Sequence, residues 1–189
     1  MEGPHYISGN GQGRRSAVGM AALAILAMAR LLHGAPEVDA PREYEVKAAF
    51  LLNFTRFVEW PGLVDTGDAP FSICILGDDP FGPVLDRIVE GESVNGRRLA
   101  IRRIGRPHLN SCQVVFFAGH EKDTAKILAG LSPGVLTIGD GAAFLREGGM
   151  IAFVLENRRV RFDINQSAAA KAGIRISSKL LSVARSVEK

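Results

Sequence analysis

The chain has 189 residues, of which 47% are hydrophobic and 23% are charged. This size and composition suffice for one hydrophobic core and exclude disorder as a description of the whole chain. No apolar run reaches the roughly 18 residues that a transmembrane helix of standard length needs. Two cysteines are too few for a multi-cysteine zinc module or a dense disulfide scaffold.

The first 40 residues have the pattern of a leader segment. Arg14 and Arg15 form a positively charged region, and an apolar run over 16–29 follows it. Val38-Asp39-Ala40 matches a cleavage site with small flanking residues, and His33-Gly34-Ala35 is a second candidate. This order is typical of a secretory signal. We expect residues 1–40 to be a signal peptide and 41–189 to be one exported domain. An uncleaved anchor and a wrongly assigned start are the alternatives.

Positive charge is concentrated near the end of the chain. Residues 156–189 carry eight basic side chains and three acidic ones. Such an excess favours an acidic partner, an anionic membrane surface or simply a solvated helical face. The chain shows no platform of interleaved aromatic and basic residues, so we expect no nucleic acid partner.

Helical and strand patterns alternate along the domain. The predicted helices cover 43–59, 81–90, 121–131, 142–146, 165–172 and 177–187, and the predicted strands cover 71–76, 99–104, 112–118, 134–138, 150–155 and 160–164. Asn95-Gly96 predicts a tight hairpin turn, and the last two strands are expected to pair antiparallel. This order predicts a single-domain α/β fold, with a mostly parallel central sheet of about six strands flanked by helices on both faces.

The first predicted helix is apolar on two sides. Its two apolar rows are Tyr44, Ala48, Leu51, Thr55 and Val58 on one side and Phe50, Phe54 and Phe57 on the other. Such a helix is either enclosed by the core or presents one face to a partner.

Motifs of enzymes are scarce. His108 and His120 lie at no ligand spacing from another histidine or cysteine, and the common hydrolase and phosphate-loop motifs are absent from the sequence. The segment 139–144 imitates a dinucleotide-binding turn. Phe144 occupies the third position, where that turn needs a small residue. We therefore interpret this segment as a strand-to-helix turn and expect no cofactor and no catalytic residue.

Two pairs of residues are candidate site residues. Cys74 and Cys112 are predicted on the first and third strands. If these strands are neighbours, the two thiols can form a disulfide, which an oxidising compartment favours; two buried thiols are the alternative. Arg161 and Asp163 share one face of the sixth strand, where they could form a salt bridge or line a polar pocket.

Five ordered segments together resemble one family of small periplasmic proteins, the YfiR family. The segments are Glu45–Pro61, Ile73–Gly82, Leu136–Asp140, Val160–Asn165 and Ile176–Leu181. The resemblance implies a repressor that holds an inner-membrane diguanylate cyclase of the YfiN type inactive through the periplasmic sensor domain of that enzyme. It also implies sequestration by an outer-membrane lipoprotein of the YfiB type and a homodimer. Cys74 and Cys112 match one disulfide of the family, and a second pair present in some members has no counterpart here.

The sequence thus predicts a non-enzymatic periplasmic regulator that lowers cyclic-di-GMP and biofilm formation. Partner-binding surfaces use apolar anchors surrounded by charge. Phe57 and Trp60 are the candidate anchors, and Arg161 and Asp163 are candidates for a polar contact. The alternative is a periplasmic small-molecule-binding module of a sensory complex.

Export makes a direct prediction. N-terminal sequencing of the protein from the periplasmic fraction should begin near Pro36 or Pro41, because cleavage follows the small residue that ends each candidate site. Recovery from the cytoplasm alone, with Met1 intact, would contradict export.

Overall fold

A computed structural model describes Gly3 and residues 40–62, 69–119 and 122–189. The predicted signal peptide therefore lies outside the described residues, except for Gly3 and Ala40, and so does His120. The described residues from 40 onward belong to one compact unit. None of the helices among the described residues is long and apolar enough to cross a bilayer.

Six α-helices, ten strands and one 3₁₀ helix make up the described part of the chain. The helices are α1 (Ala40–Phe57), α2 (Pro83–Val89), α3 (Thr124–Ala129), α4 (Ala142–Arg146), α5 (Gln166–Lys171) and α6 (Ser178–Val183), with the 3₁₀ helix at Arg106–Ser111. The strands are β1 (Val58–Glu59), β2 (Phe71–Gly77), β3 (Ser93–Val94), β4 (Arg97–Ile104), β5 (Val114–Ala118), β6 (Leu136–Asp140), β7 (Ile151–Glu156), β8 (Arg159–Asn165), β9 (Arg175–Ile176) and β10 (Ser186–Glu188).

Eight strands form one sheet in the order β10-β8-β7-β6-β5-β2-β4-β3. Strands β4, β2, β5, β6 and β7 run parallel, whereas β8 is antiparallel to β7, as predicted. The predicted α/β class and mostly parallel sheet are confirmed. The sheet has two strands more than the six expected, because the short edge strands β3 and β10 were missed. Separately, β1 and β9 form a two-stranded sheet.

Side chains of the central strands alternate between two hydrophobic layers. Val114 and Phe116 of β5 point to one layer, in which α1, α2 and α6 bury residues. Val115 and Phe117 point to the other layer, against α3 and α4. We call these sides the α1 face and the α3 face. A strand buried on both faces has the continuous apolar sequence that β5 shows.

The end of the chain corrects one prediction. The last helix does not extend to Val187 but ends at Val183, and the chain then forms β10 parallel to β8. Arg185 holds this arrangement in two ways. Its backbone N–H donates to the Phe162 carbonyl at 2.8 Å, and its guanidinium donates to both carboxylate oxygens of Asp163. The hydrogen bonds from Arg185 hold the pKa of the buried Asp163 carboxyl below its usual range.

Cys74 and Cys112 form a disulfide, as predicted, with Cα atoms 6.0 Å apart. Strands β2 and β5 are neighbours, which satisfies the condition set from the sequence. Cys112, however, precedes β5 and follows the 3₁₀ helix. The bridge therefore fastens this connection to β2, an interior strand of the sheet.

Removal of the disulfide should lower stability. The bridge spans 38 residues, and a loop of this length restricts the unfolded chain by about 3–4 kcal/mol in the chain-entropy treatment. Cys112→Ser should lower the melting temperature and leave one titratable thiol. The double variant Cys74→Ser/Cys112→Ser is the control and should lose the same stability without a free thiol. Two free thiols in the denatured, untreated wild type would contradict the bridge.

Loss of Arg185 should destabilise the domain in a pH-dependent way. Arg185→Ala leaves a buried carboxylate without its partner, whereas Asp163→Asn leaves a partly exposed guanidinium that water can hydrate. We therefore expect Arg185→Ala to lower the melting temperature at pH 7 more than Asp163→Asn does.

The sign of the pH effect follows from the lowered pKa of Asp163. The ion pair stabilises the fold above the unfolded pKa of Asp163, about 4, and this contribution is lost as the pH falls through the folded value. The difference in denaturant midpoint between wild type and Arg185→Ala should therefore become smaller as the pH falls below about 4. An equal difference at neutral and acidic pH would contradict the role of this pair.

Candidate functional site: an apolar groove beside the first helix

One stripe of α1 remains on the surface. It consists of Val46, Phe50, Asn53 and Phe57, at spacings of four, three and four residues that place them on one side of a helix. Val46 is 45% exposed and Phe57 is 36% exposed. The opposite side of α1 is buried, with Ala48 and Leu51 fully inaccessible. The sequence left open whether α1 is enclosed by the core or presents a face to a partner. In the structure one apolar side packs in the core, and the other is partly exposed to solvent.

A groove of about 300 Å³ lies between α1 and α6. Its lining is mostly apolar and comprises Phe50, Asn53, Phe54, Phe57, Phe162, Lys179, Leu180 and Val183. The rings of Phe50 and Phe162 pack edge-to-face at 5.4 Å, which gives the groove an aromatic floor. Val183 on α6 is 57% exposed. The groove therefore offers apolar surface to a partner and carries one positive charge, on Lys179.

Phe57 and Trp60, the two predicted anchors, lie in different environments. Phe57 borders the groove. Trp60 is only 6% exposed, and its ring packs edge-to-face on Phe71 at 5.0 Å. The Trp60 Nε1 atom is buried and has no hydrogen-bond partner among the described residues. The structure therefore places Phe57 at the surface and Trp60 in the core.

Arg161 and Asp163 are not brought together. Asp163 pairs with Arg185, as described above, and Arg161 is half-buried with no ion pair among the described residues. Sequence reasoning missed Arg185 because it lies 22 residues away along the chain. Asp163 consequently fastens β10 to β8.

A second buried charge was also missed. Lys47 of α1 is only 4% exposed, and its Nζ atom lies 2.7 Å from a carboxylate oxygen of Asp140 at the end of β6. Glu43 contributes a second carboxylate one helical turn earlier. Burial by itself lowers the pKa of Lys47, but the hydrogen bonds to Asp140 and Glu43 outweigh it and raise that pKa. The spacing of Glu43 and Lys47 was a signal for one of these contacts.

The segment that imitates a dinucleotide turn is filled by its own side chain. A Cβ atom added to Gly139 would lie 2.7 Å from the Phe144 ring, and one added to Gly149 would lie 2.2 Å from it. Both glycines therefore make room for Phe144. Among the described residues, no group of three or more His, Cys, Asp or Glu side chains is arranged to hold a metal ion.

A larger cavity, of about 610 Å³, lies between α3 and α5, away from the groove. Thr137, Glu147, Asn165 and Lys171 contribute polar side chains to it. One carboxylate oxygen of Glu147 is buried and has no hydrogen-bond partner among the described residues. This cavity could admit a small molecule, whereas the groove beside α1 is suited to an apolar side chain.

Comparisons with solved structures support the fold. The chain is similar to an ABC domain in complex with L-Trp from Streptococcus pneumonia, with a TM-score of 0.50 and 10% identity over 77% of this chain and 60% of that one. It is also similar to a conserved domain protein from Vibrio cholerae O1 biovar eltor, with a TM-score of 0.50 and 12% identity over the same shares. This chain thus matches only 60% of the length of either structure, and at these identities the likeness concerns the fold alone.

No curated protein matches the chain. A family model described as YfiR/HmsC-like matches residues 44–185, which include α1 from Tyr44 onward, the groove and the disulfide. This family indicates a periplasmic regulator of cyclic-di-GMP signalling. The match covers most of the chain and confirms the resemblance found from the sequence, so the chain belongs to the YfiR/HmsC-like family.

Proposed function

We propose that this protein is exported, with residues 1–40 as its leader, and represses an inner-membrane diguanylate cyclase by binding the periplasmic sensor domain of that enzyme. The observation that supports this most is the groove beside α1. It exposes Phe57 and Val183 above an aromatic floor inside the segment that defines the family. A few well-buried side chains contribute most of the binding free energy in protein interfaces. The regulator itself needs no catalytic residue.

Repression requires a preference for one state of the cyclase. A protein that binds both states equally shifts no equilibrium. Conversion of a population from 1:99 to 99:1 requires about 5.5 kcal/mol of differential binding. A few desolvated apolar side chains supply free energy of this size. Phe57 and Val183 would contribute part of it if only the inactive state of the sensor domain offers them a complementary pocket.

Family membership also supports two further partners as part of this proposal. An outer-membrane lipoprotein of the YfiB type would compete for the protein and thereby release the cyclase. A homodimer would present two copies of the groove. We include Arg161 as a candidate polar contact, because its half-buried side chain has no ion pair among the described residues.

The alternative is a small-molecule-binding module of a sensory complex. The 610 Å³ cavity with the unpartnered Glu147 oxygen favours it. The solved structure from Streptococcus pneumonia is a complex with L-Trp. An isothermal titration with amino acids would test this alternative, and a Glu147→Gln variant should lose any binding that this carboxylate provides.

The repressor proposal predicts a phenotype. Deletion of the gene should raise cyclic-di-GMP and surface attachment, because the cyclase loses its inhibitor. A version that lacks residues 1–40 should fail to complement, because it stays in the cytoplasm. If cyclic-di-GMP stays unchanged in the deletion strain while the cyclase is expressed, repression is contradicted and the small-molecule alternative is favoured.

The groove predicts a separation of binding from folding. Phe57→Lys places a charge in the apolar contact and should abolish repression, while circular dichroism and export remain normal because Phe57 is partly exposed. Glu45→Lys adds the same side chain to an exposed position of α1 outside the stripe and should repress normally. Trp60→Ala should instead destabilise the fold by roughly 3–5 kcal/mol, because it empties a core position. Normal repression by Phe57→Lys would show that the groove is not the contact.

A further inference from the structure

The β3–β4 and β7–β8 hairpins both have two-residue turns with positive φ angles, but the second turn residue is glycine in one and arginine in the other. In the β3–β4 turn, Asn95 and Gly96 have φ angles of +50° and +78°. In the β7–β8 turn, Asn157 and Arg158 have φ angles of +49° and +59°. This left-handed conformation is relaxed for glycine and strained for a side chain that has a Cβ atom. The second hairpin thus keeps an arginine where glycine is the more favourable residue.

Basic side chains outnumber acidic ones around this second turn. Arg158 and Arg159 are exposed at the tip, and Arg161 follows on β8. The two carboxylates nearby are already occupied, since Arg185 binds Asp163 and lies 3.7 Å from Glu156. Arg159 and Arg161 form no ion pair among the described residues. Arg159 and Arg161 therefore carry positive charge that the described fold does not neutralise.

An apolar side chain accompanies these arginines. Leu155 pairs with Val160 next to the turn and is 54% exposed. By strand alternation it continues the α1-face row of Ile151 and Phe153, but it lies beyond the core that buries those two residues. By the same alternation Arg159 points to the opposite face of the hairpin. The tip thus carries exposed leucine on one face and exposed arginine on the other, a composition typical of surfaces that bind at a lipid–water interface.

We propose that the tip of the β7–β8 hairpin, residues 155–161, binds the surface of an anionic phospholipid bilayer. The arginines approach the headgroup phosphates, and Leu155 enters the interface. A two-residue turn offers far less area than the roughly 800 Å² per partner of a standard protein interface. Attraction to an anionic bilayer needs no shape complementarity and increases with each basic side chain. These two facts favour lipid over an acidic protein as the occupant.

Sedimentation with vesicles tests this proposal. The predicted exported domain, residues 41–189, contains the entire described core and is mixed with vesicles of phosphatidylglycerol and phosphatidylcholine or of phosphatidylcholine alone. We expect binding only to the anionic vesicles, and weaker binding at high salt. Arg158→Gly should lower the partition coefficient about fivefold and, because it relieves the strained turn, raise the melting temperature. Leu155→Ser should remove the part of the binding that resists salt.

The first hairpin supplies the control. Arg98→Glu reverses an exposed charge beside the Asn95-Gly96 turn and should leave vesicle binding unchanged, whereas Arg159→Glu should lower it more than Arg158→Gly does. No preference for anionic vesicles, or equal losses in Arg98→Glu and Arg159→Glu, would overturn the proposal. A third outcome would also overturn it: the wild type binds no vesicles, and Arg159→Glu no longer binds the sensor domain of the cyclase. That result would assign the tip to an acidic protein surface.

Discussion

The packing of α1 across one face of the sheet determines what the molecule exposes. Phe54 stacks on Phe153 at 5.7 Å and meets Phe162 edge-to-face at 5.1 Å, so the helix is fixed over strands β7 and β8. At its first turns, Lys47 binds Asp140 and prevents rotation about the helix axis. An uncompensated charge in this position would be costly, and the contact with Asp140 on β6 therefore favours one orientation of the helix. In that orientation Val46 and Phe57 necessarily face solvent.

Features coded by neighbouring residues were predictable from the sequence. The Asn165 side chain accepts a hydrogen bond from the Ala168 N–H, as the sequence predicts for a helix cap. The sequence allows either Ser177 or Ser178 to cap the last helix, and the structure shows Ser177 accepting from the Leu180 N–H. The Asn95-Gly96 turn and the continuous apolar strand β5 were equally local signals. The disulfide required only that two strands be neighbours. The caps, the turn and the strand depend on geometry within a few residues, whereas the disulfide also needed β2 and β5 to be neighbours, which the structure confirms.

Features set by distant contacts were not predictable in the same way. The final helix stops at Val183 because Arg185 finds partners on β8, 22 residues earlier, and helical propensity over 184–187 cannot show this. Trp60 looks like a surface anchor at the end of a helix, yet β1 pairs with β9 and the ring turns onto Phe71. The groove forms only because α6 packs beside α1, a contact between distant segments of the chain. Long-range packing outweighs local preference at each of these positions.

The groove and the hairpin tip lie on connected parts of the molecule. Phe50 of the α1 stripe contacts Phe153, and Leu155 continues the same row of β7 towards the turn. A tip bound to the bilayer would hold the α1 stripe within a short distance of the membrane surface, where the periplasmic domain of a membrane enzyme also lies. Tethering converts a bimolecular encounter into one governed by an effective concentration, which increases apparent affinity without a new contact. A modest groove of about 300 Å³ could then suffice for repression, because the membrane would supply part of the free energy that the groove alone lacks.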